Sequence, residues 1–288
     1  MNCNLCPRRC DADRAKRRGV CGVGENPVVA RIAPHYDEEP SISGTGGSGA
    51  VFFSGCPLGC AFCQNSEISC GGFGREITVP ALRRAFDRLI EAGCHNINLV
   101  NPTHFTPAIL SALEAPLPVP VVWNSSGYEL PETLKALEGR VTVFLPDLKY
   151  VDSALSARYS GAPDYFERAS KALLEMHRQV GAPQLNEDGL ITRGLIVRHL
   201  ILPGCAEDSM RVLDWIKANL PGAWVSLMAQ YTPAGRAREY PEIDRRLRER
   251  EYERVVNHLI RLGLDEGYVQ ELSSADERYV PAFDLTGV

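Results

Sequence analysis

The chain has 288 residues, 44% of them hydrophobic and 23% charged, with a formal net charge of −5. That length is more than one sandwich needs and suits one α/β barrel with a full core and a small appendage. The composition is that of an ordinary soluble globular protein; it excludes a disordered chain and gives no electrostatic reason to expect nucleic acid as a partner.

The opening residues, MNCNLCPRRC, contain no apolar stretch of signal-peptide length. No window approaches the roughly 18 to 20 apolar residues that span a bilayer. The expectation is a cytoplasmic protein with no membrane contact. In that reducing compartment the ten cysteines read first as metal ligands, not as disulfides.

Residues 1–40 hold Cys3, Cys6, Cys10 and Cys21, spaced Cys-x2-Cys-x3-Cys-x10-Cys. The segment is too poor in apolar runs to fold by burial alone, so a bound metal is expected to supply the missing stability. A closed tetrathiolate suits zinc and an auxiliary [4Fe–4S] cluster alike. Arg8, Arg9, Arg14, Lys16, Arg17 and Arg18 lie among these cysteines. They can offset thiolate charge or form a solvated loop; no aromatic side chains interleave to stack on bases, so nucleic acid is not expected.

A Gly/Ser stretch follows at Ser41–Gly49. Because its glycines precede a strand and do not open a helix, it reads as a turn and not as a dinucleotide loop. The main domain is assigned to 41–270, with 271–288 as a C-terminal tail.

From Ala50 the chain alternates. Apolar, β-rich runs fall at Ala50–Phe53, Ile97–Val100, Val119–Trp123, Val141–Leu145, Gly194–Leu202 and Ala223–Ala229. Between them lie helical periods. Thr78 can cap one helix, with Pro80 in its opening turn and Leu82, Phe86, Leu89 and Ile90 on one face. Phe166, Ala169, Leu173, Met176 and Val180 share a face in a second. Further helices are expected at Asp208–Leu220 and Ile243–Leu262. Six strands separated by helices imply parallel pairing with right-handed crossovers, as a doubly wound sheet or a partial barrel.

The most informative stretch is SGCPLGCAFCQN, directly after the first of these strands. Cys56, Cys60 and Cys63 stand in the pattern Cys-x3-Cys-x2-Cys. Three thiolates in one loop can hold three corners of an iron–sulfur cubane and leave one iron open, whereas a structural zinc takes four ligands. Cys70 is the nearby candidate for a fourth ligand, and a closed set would leave no reactive position. Cys94 and Cys205 share no spacing with the others and read as buried thiols.

This motif, with Phe62 before its last cysteine, resembles the signature of the radical S-adenosylmethionine (radical SAM) superfamily. The polar strand ends VNPTHF, WNSSGYE, LPDLKYVD, VRHLILPG and MAQYTP make the chain similar to the pyruvate formate-lyase activating enzyme branch, in its forms with a cysteine-rich N-terminus. The resemblance implies a partial (β/α)6 TIM-type barrel with a small N-terminal metal-binding module. It implies that Cys56, Cys60 and Cys63 bind a [4Fe–4S] cluster and that SAM chelates the fourth iron. One electron then cleaves SAM to methionine and a 5′-deoxyadenosyl radical, which abstracts hydrogen from the substrate.

Carried over by position, Phe62 lies near the adenine, Asn124 and Ser126 face the ribose, and Asp147 and Lys149 lie beside cosubstrate and substrate. Arg198 contacts the cosubstrate carboxylate or its polar surroundings. The family's Gly-Gly-Glu segment stands here as Asn101, Pro102, Thr103 and His104, with Thr103 as a substitute acceptor and His104 as either a helix-start histidine or a participant. Gln230 and Tyr231 are further cavity candidates.

The resemblance implies abstraction from a glycine of a partner protein, with a peptide or small molecule as the other substrate class. The implied reductant is of the flavodoxin or ferredoxin kind. Two other readings fit the same cysteines: a non-catalytic iron–sulfur electron-transfer or metal-dependent interaction protein in which both cysteine groups are closed, and a zinc-only barrel enzyme.

Overall fold

Alternation with period two along the strands builds a curved sheet with an apolar outer face and a partly polar inner one. The computed structural model describes residues 3–274 and 281–288. Among these residues lie ten strands: β1 (Val28–His35), β2 (Ser48–Phe53), β3 (Arg75–Glu76), β4 (Ile97–Val100), β5 (Val121–Ser125), β6 (Val143–Pro146), β7 (Gln184–Leu185), β8 (Ile191–Leu200), β9 (Trp224–Met228) and β10 (Gly267–Val269). The main path runs β10-β9-β8-β6-β5-β4-β2-β1-β3, with β7 attached to β8.

From β2 to β10 along that path every pairing is parallel. These strands follow one another in chain order, with no reversal of the kind a doubly wound sheet needs. The arrangement is therefore the partial barrel. All six expected strands are present, with ends displaced by a few residues.

Val51, Phe53, Leu99, Trp123, Phe144, Val197 and Val225 point outward into the main core beneath the helices. Helix Val79–Glu91 contributes Leu82, Ala85, Phe86 and Leu89 to that layer, and the Thr78 hydroxyl caps it by accepting from the Ala81 N–H at 3.3 Å. Helices Tyr165–Val180 and Ala206–Asn219 also lie where periodicity places them. The last helix spans Glu249–Arg261, shorter than the expected Ile243–Leu262. The N–H groups of Ile243 and Asp244 turn back to the Tyr240 carbonyl. The helix opens only at Arg248, whose N–H donates to the Glu251 carboxylate at 2.9 Å.

Inside the barrel, Ile42, Val122, Val143, Leu145 and Ile196 form one apolar cluster, while Ala50, Phe52, Val100 and Phe283 belong to another. Asn98, Asn124 and Arg198 share the inward parity of these residues, and Ser226 lies opposite Arg198 in register. The interior is thus apolar with a polar band.

β1 has no counterpart in the expected strand set. It pairs antiparallel with β2, from Val29 opposite Phe53 to His35 opposite Ser48. The chain then turns under the barrel: Asn96 donates to the Ile42 carbonyl at 2.7 Å and accepts from the Ser48 hydroxyl at 2.7 Å. Of the Gly/Ser stretch expected as a turn, only residues 44–47 form one; Ser41, Ile42 and Ser43 belong to the short helix Pro40–Ser43 under the barrel, and Ser48 and Gly49 open β2. In the expected tail, 275–280 lie outside the described residues, and the chain end returns to β1, where the Ile32 N–H meets the Thr286 carbonyl at 2.8 Å.

The cysteine-rich N-terminus rests on loops at the C-terminal ends of the strands. The Cys56 N–H donates to the Cys21 carbonyl at 3.1 Å, and the Thr133 hydroxyl donates to the Leu5 carbonyl at 2.9 Å. Arg14 reaches the carbonyls of His104 and Gly24.

Two contacts carry tests. At Gly127 φ is +73°, and a Cβ would sit 2.2 Å from the Asp147 carbonyl oxygen. Gly127→Ala is therefore expected to cost about 2–4 kcal/mol, from left-handed strain plus the clash. A change below ~0.5 kcal/mol in urea unfolding would refute the close approach.

The second test concerns two buried imidazoles, His104 against the Ser54 carbonyl (2.8 Å) and His199 against the Leu148 carbonyl (2.7 Å). Burial pushes both from 6.5 down to about 4. With the folded value below the unfolded one, the unfolded chain takes up these protons first. The stability they support is complete above pH ~6.5 and is lost as pH falls toward 4, at up to about 1.4 kcal/mol per pH unit for each group. Urea titrations from pH 7 to 5 should show this slope, and His104→Gln should flatten it; equal slopes for the two proteins would rule it out for His104.

Candidate active site

The three-cysteine loop follows β2, and its first turn is set by Gly55. Its φ is +86°, and a Cβ there would lie 2.6 Å from the Cys21 carbonyl oxygen. Cys56, Cys60 and Cys63 open into a cleft of about 250 Å³ at the C-terminal ends of the strands. Parallel barrels gather their chemistry at this end because the βα loops converge there.

Phe62, Asn124, Ser126, Asp147, Lys149 and Arg198 line the same cleft, as does Gln230. Tyr231 does not; its hydroxyl donates to the Ile243 carbonyl at 2.7 Å, and its ring lies 6.3 Å from that of Phe62. Cys70 is exposed at the end of helix Ser66–Ser69 and is not part of the cleft lining.

Thr103 is placed differently from the expectation. Its hydroxyl donates at 2.7 Å to Glu129, which also accepts from Trp123 Nε1 at 2.8 Å and Ser125 at 2.7 Å. Thr103 thus ties the loop after β4 to that after β5 and does not line the cleft. His104 is likewise buried against backbone, the helix-start reading. Asn101, the residue that does reach the cleft from this loop, has φ +57°, a left-handed conformation that asparagine tolerates.

The floor is a charged network. The Arg198 guanidinium donates to Asn124 Oδ1 at 2.6 Å, Glu38 Oε2 at 3.2 Å and Asp147 Oδ1 at 3.3 Å. Lys149 Nζ meets Asp147 Oδ2 at 2.5 Å. Glu38 Oε1 accepts from Asn98 at 3.1 Å and Asn124 at 3.2 Å. Burial alone would raise the Asp147 carboxyl, but Lys149 and Arg198 outweigh it and hold the group below its ordinary value. Burial would likewise lower Lys149, but Asp147 and the Cys60 sulfur keep it raised. Both therefore remain charged, with the ammonium close to one of the three cysteines.

Sequence reading did not find Glu38, which follows a strand it had not identified. Nor did it single out Tyr165, fully buried at a helix start, whose single hydroxyl proton is shared between the carbonyls of Ser126 (2.8 Å) and Asp147 (3.0 Å) and whose oxygen accepts from the Lys149 N–H (3.0 Å). No spacing rule marks either residue. The only signals were the run of three acidic residues in YDEEP and a tyrosine opening a helix.

Burial pushes the thiols of Cys56 and Cys63 up, to about 11 and about 12, so proton release must accompany metal binding. Among the described residues no three His, Cys, Asp or Glu side chains converge on one ion position. A cubane does not require that, since each cysteine takes a separate iron. Three thiols from one loop at the edge of a polar cleft thus fit an iron–sulfur cluster with an open corner. The N-terminal cysteines also share a neighbourhood: Cys10 and Cys21 Sγ each lie 3.4 Å from where a Cβ on Gly19 would stand.

Comparison with known proteins agrees with this geometry. The chain is 31% identical over 277 residues to the uncharacterized protein MJ0674 of Methanocaldococcus jannaschii, covering 92% of this chain and 76% of that one. In fold it is similar to Streptococcus suis SuiB bound to the precursor peptide SuiA, with a TM-score of 0.53 and 14% identity over 76% of this chain and 48% of SuiB. The chain thus spans about half the length of SuiB. Methylornithine synthase (PylB) is similar as well, with a TM-score of 0.52 and 15% identity over 81% of this chain and 68% of that one. Residues 50–230 match the Radical SAM superfamily. The chain belongs to the radical SAM superfamily, whose members typically use a [4Fe–4S] cluster and SAM.

Proposed function

We propose that Cys56, Cys60 and Cys63 ligate the [4Fe–4S] cluster of a radical SAM enzyme and that the network around Arg198 receives SAM at the open iron. The observation that carries this reading is the opening of all three cysteines and the Asp147–Lys149–Arg198–Asn124 set into one cleft. When bound, the cluster supplies the electron for reductive cleavage of the SAM sulfonium.

The chain's own residues bind and orient. Phe62 offers an aromatic face for the adenine, and Asn124 and Ser126 offer polar groups for the ribose. Arg198 has five N–H donors and uses three, so two remain for a carboxylate. Lys149 keeps two of its three donors and, beside Cys60, offsets thiolate charge. Asp147, held between Lys149 and Arg198, faces cosubstrate and substrate. Thr103 has no part in this assignment.

Cys3, Cys6, Cys10 and Cys21 supply the thiols for a second metal that stabilises the N-terminal segment, either an auxiliary iron–sulfur cluster with one iron per cysteine or a zinc ion, for which the thiols must draw together on one position. The enzyme works in the cytoplasm with a flavodoxin- or ferredoxin-type reductant. Among the described residues no helix is long and apolar enough to cross a membrane.

The test is anaerobic reconstitution with iron and sulfide, then dithionite and SAM. The expected product is 5′-deoxyadenosine, and SAM should perturb the EPR spectrum of the reduced cluster. Cys56→Ser, Cys60→Ser and Cys63→Ser should each lose both signals. A verified [4Fe–4S] protein with neither signal contradicts the reading. Iron well above four atoms per chain assigns a second cluster to the N-terminus, and equimolar zinc assigns a zinc knot.

For substrate, the reading is a glycine of a partner protein. What supports it is the likeness of the DLK run, with Asp147 and Lys149, to the motif that lies beside the substrate glycine in activating enzymes. Protein and small-molecule fractions from cells grown on α,α-dideuteroglycine serve as probes. Deuterium should pass into 5′-deoxyadenosine from the protein fraction, whereas transfer only from the small molecules overturns the glycine assignment.

A further inference from the structure

Ser160 ends helix Ser153–Ser160 and is 1% exposed. Its hydroxyl donates to Cys60 Sγ at 3.0 Å. It also lies 3.0 Å from the hydroxyl of Tyr150, itself 1% exposed. A serine hydroxyl has one proton. With that proton on the sulfur, the serine oxygen must accept from the tyrosine, giving a directed chain from Tyr150 O–H to Ser160 O–H to Cys60. Burial holds the phenol well above its ordinary value, so it remains a donor.

The chain is anchored from outside the barrel. Arg8, in the N-terminal CPRRC turn, donates from Nε to the Pro57 carbonyl at 2.8 Å and from Nη1 to the Gly161 carbonyl at 2.7 Å. Its Nη2 donates to the Ser160 carbonyl at 3.3 Å, and the guanidinium lies 5.4 Å from the centre of the Tyr128 ring. One cation therefore fixes both the residue after Cys56 and the helix end that carries Ser160.

We propose that Tyr150 and Ser160, the latter on a helix end held by Arg8 from the N-terminal segment, form a hydroxyl relay that raises the reduction potential of the cluster ligated by Cys60. This rests on Cys60 being a cluster ligand, as proposed above. A hydrogen bond to a ligating sulfur favours the more negative, reduced cluster, and such bonds are among the determinants of iron–sulfur potentials. Ser160, Tyr150 and Arg8 are positioning residues, not catalytic ones.

The experiment is an anaerobic redox titration of the full-length reconstituted protein followed by EPR, with iron counted in every variant. At the wild-type midpoint, Ser160→Ala should lower the ratio of reduced to oxidised cluster about tenfold, ~59 mV for one electron. Tyr150→Phe and Arg8→Ala should shift it the same way by less, while Ser160→Thr, which keeps the hydroxyl, should stay near wild type. A Ser160→Ala protein with its cluster intact and an unchanged ratio overturns the proposal. If that variant does not retain iron, Tyr150→Phe decides: an unchanged ratio there overturns it equally. A wild-type protein without a SAM-responsive cluster sinks the ligand assignment itself, and a responsive wild type with insensitive variants sinks only the relay.

Discussion

The buried guanidinium of Arg198 is the constraint on which the rest of the site depends. It joins groups from three places far apart in the chain: Asn124 in β5, Asp147 after β6 and Glu38 beneath the barrel. A cation in that position is tolerable only because carboxylates oppose it, and the carboxylates are tolerable only because Arg198 and Lys149 are present. Two carboxylates and two cations leave the cleft floor polar and close to neutral. The barrel can keep such a polar band because apolar clusters lie on either side of it.

Around this floor the loops are tied to one another and not only to their own strands. Tyr165 links the loop after β5 to that after β6, and the glycine at 127 allows their backbones to meet. Glu129 ties the loop after β4 to β5. Each tie replaces water around a buried polar group with a fixed partner, which holds a constellation in place more firmly than free loops could. The N-terminal segment extends the same principle to the cysteine loop, since the Cys21 carbonyl receives the Cys56 N–H. The cysteine-rich stretch thus buttresses the strand ends.

Much of this was legible along the chain. Six strands and four helices follow from local periodicity, because each buries a face whose spacing is its own signature. The Cys-x3-Cys-x2-Cys loop is legible for the same reason: its chemistry lies within eight residues. β1 was not, because VVARIAPH lacks a clean alternation and owes its place to pairing with β2. The last helix was read too long because Leu247 and Ile243 continue an apolar pattern, although Ile243 is buried through a turn. Thr103 was misplaced because position in a motif does not reveal that a carboxylate from the next loop will take its hydroxyl.

By itself the sequence determined the alternation that makes a parallel barrel and the one loop that places three thiols together. These depend on neighbours a few residues apart, where spacing and direction are nearly the same thing. Only the tertiary structure decided which distant polar groups meet: Glu38 under Arg198, Tyr165 between two loops, and Ser160 on Cys60 with Arg8 at its back. The physical reason is that a buried polar group needs a partner but does not specify which one. The choice among many donors and acceptors is made by the packing of the whole barrel.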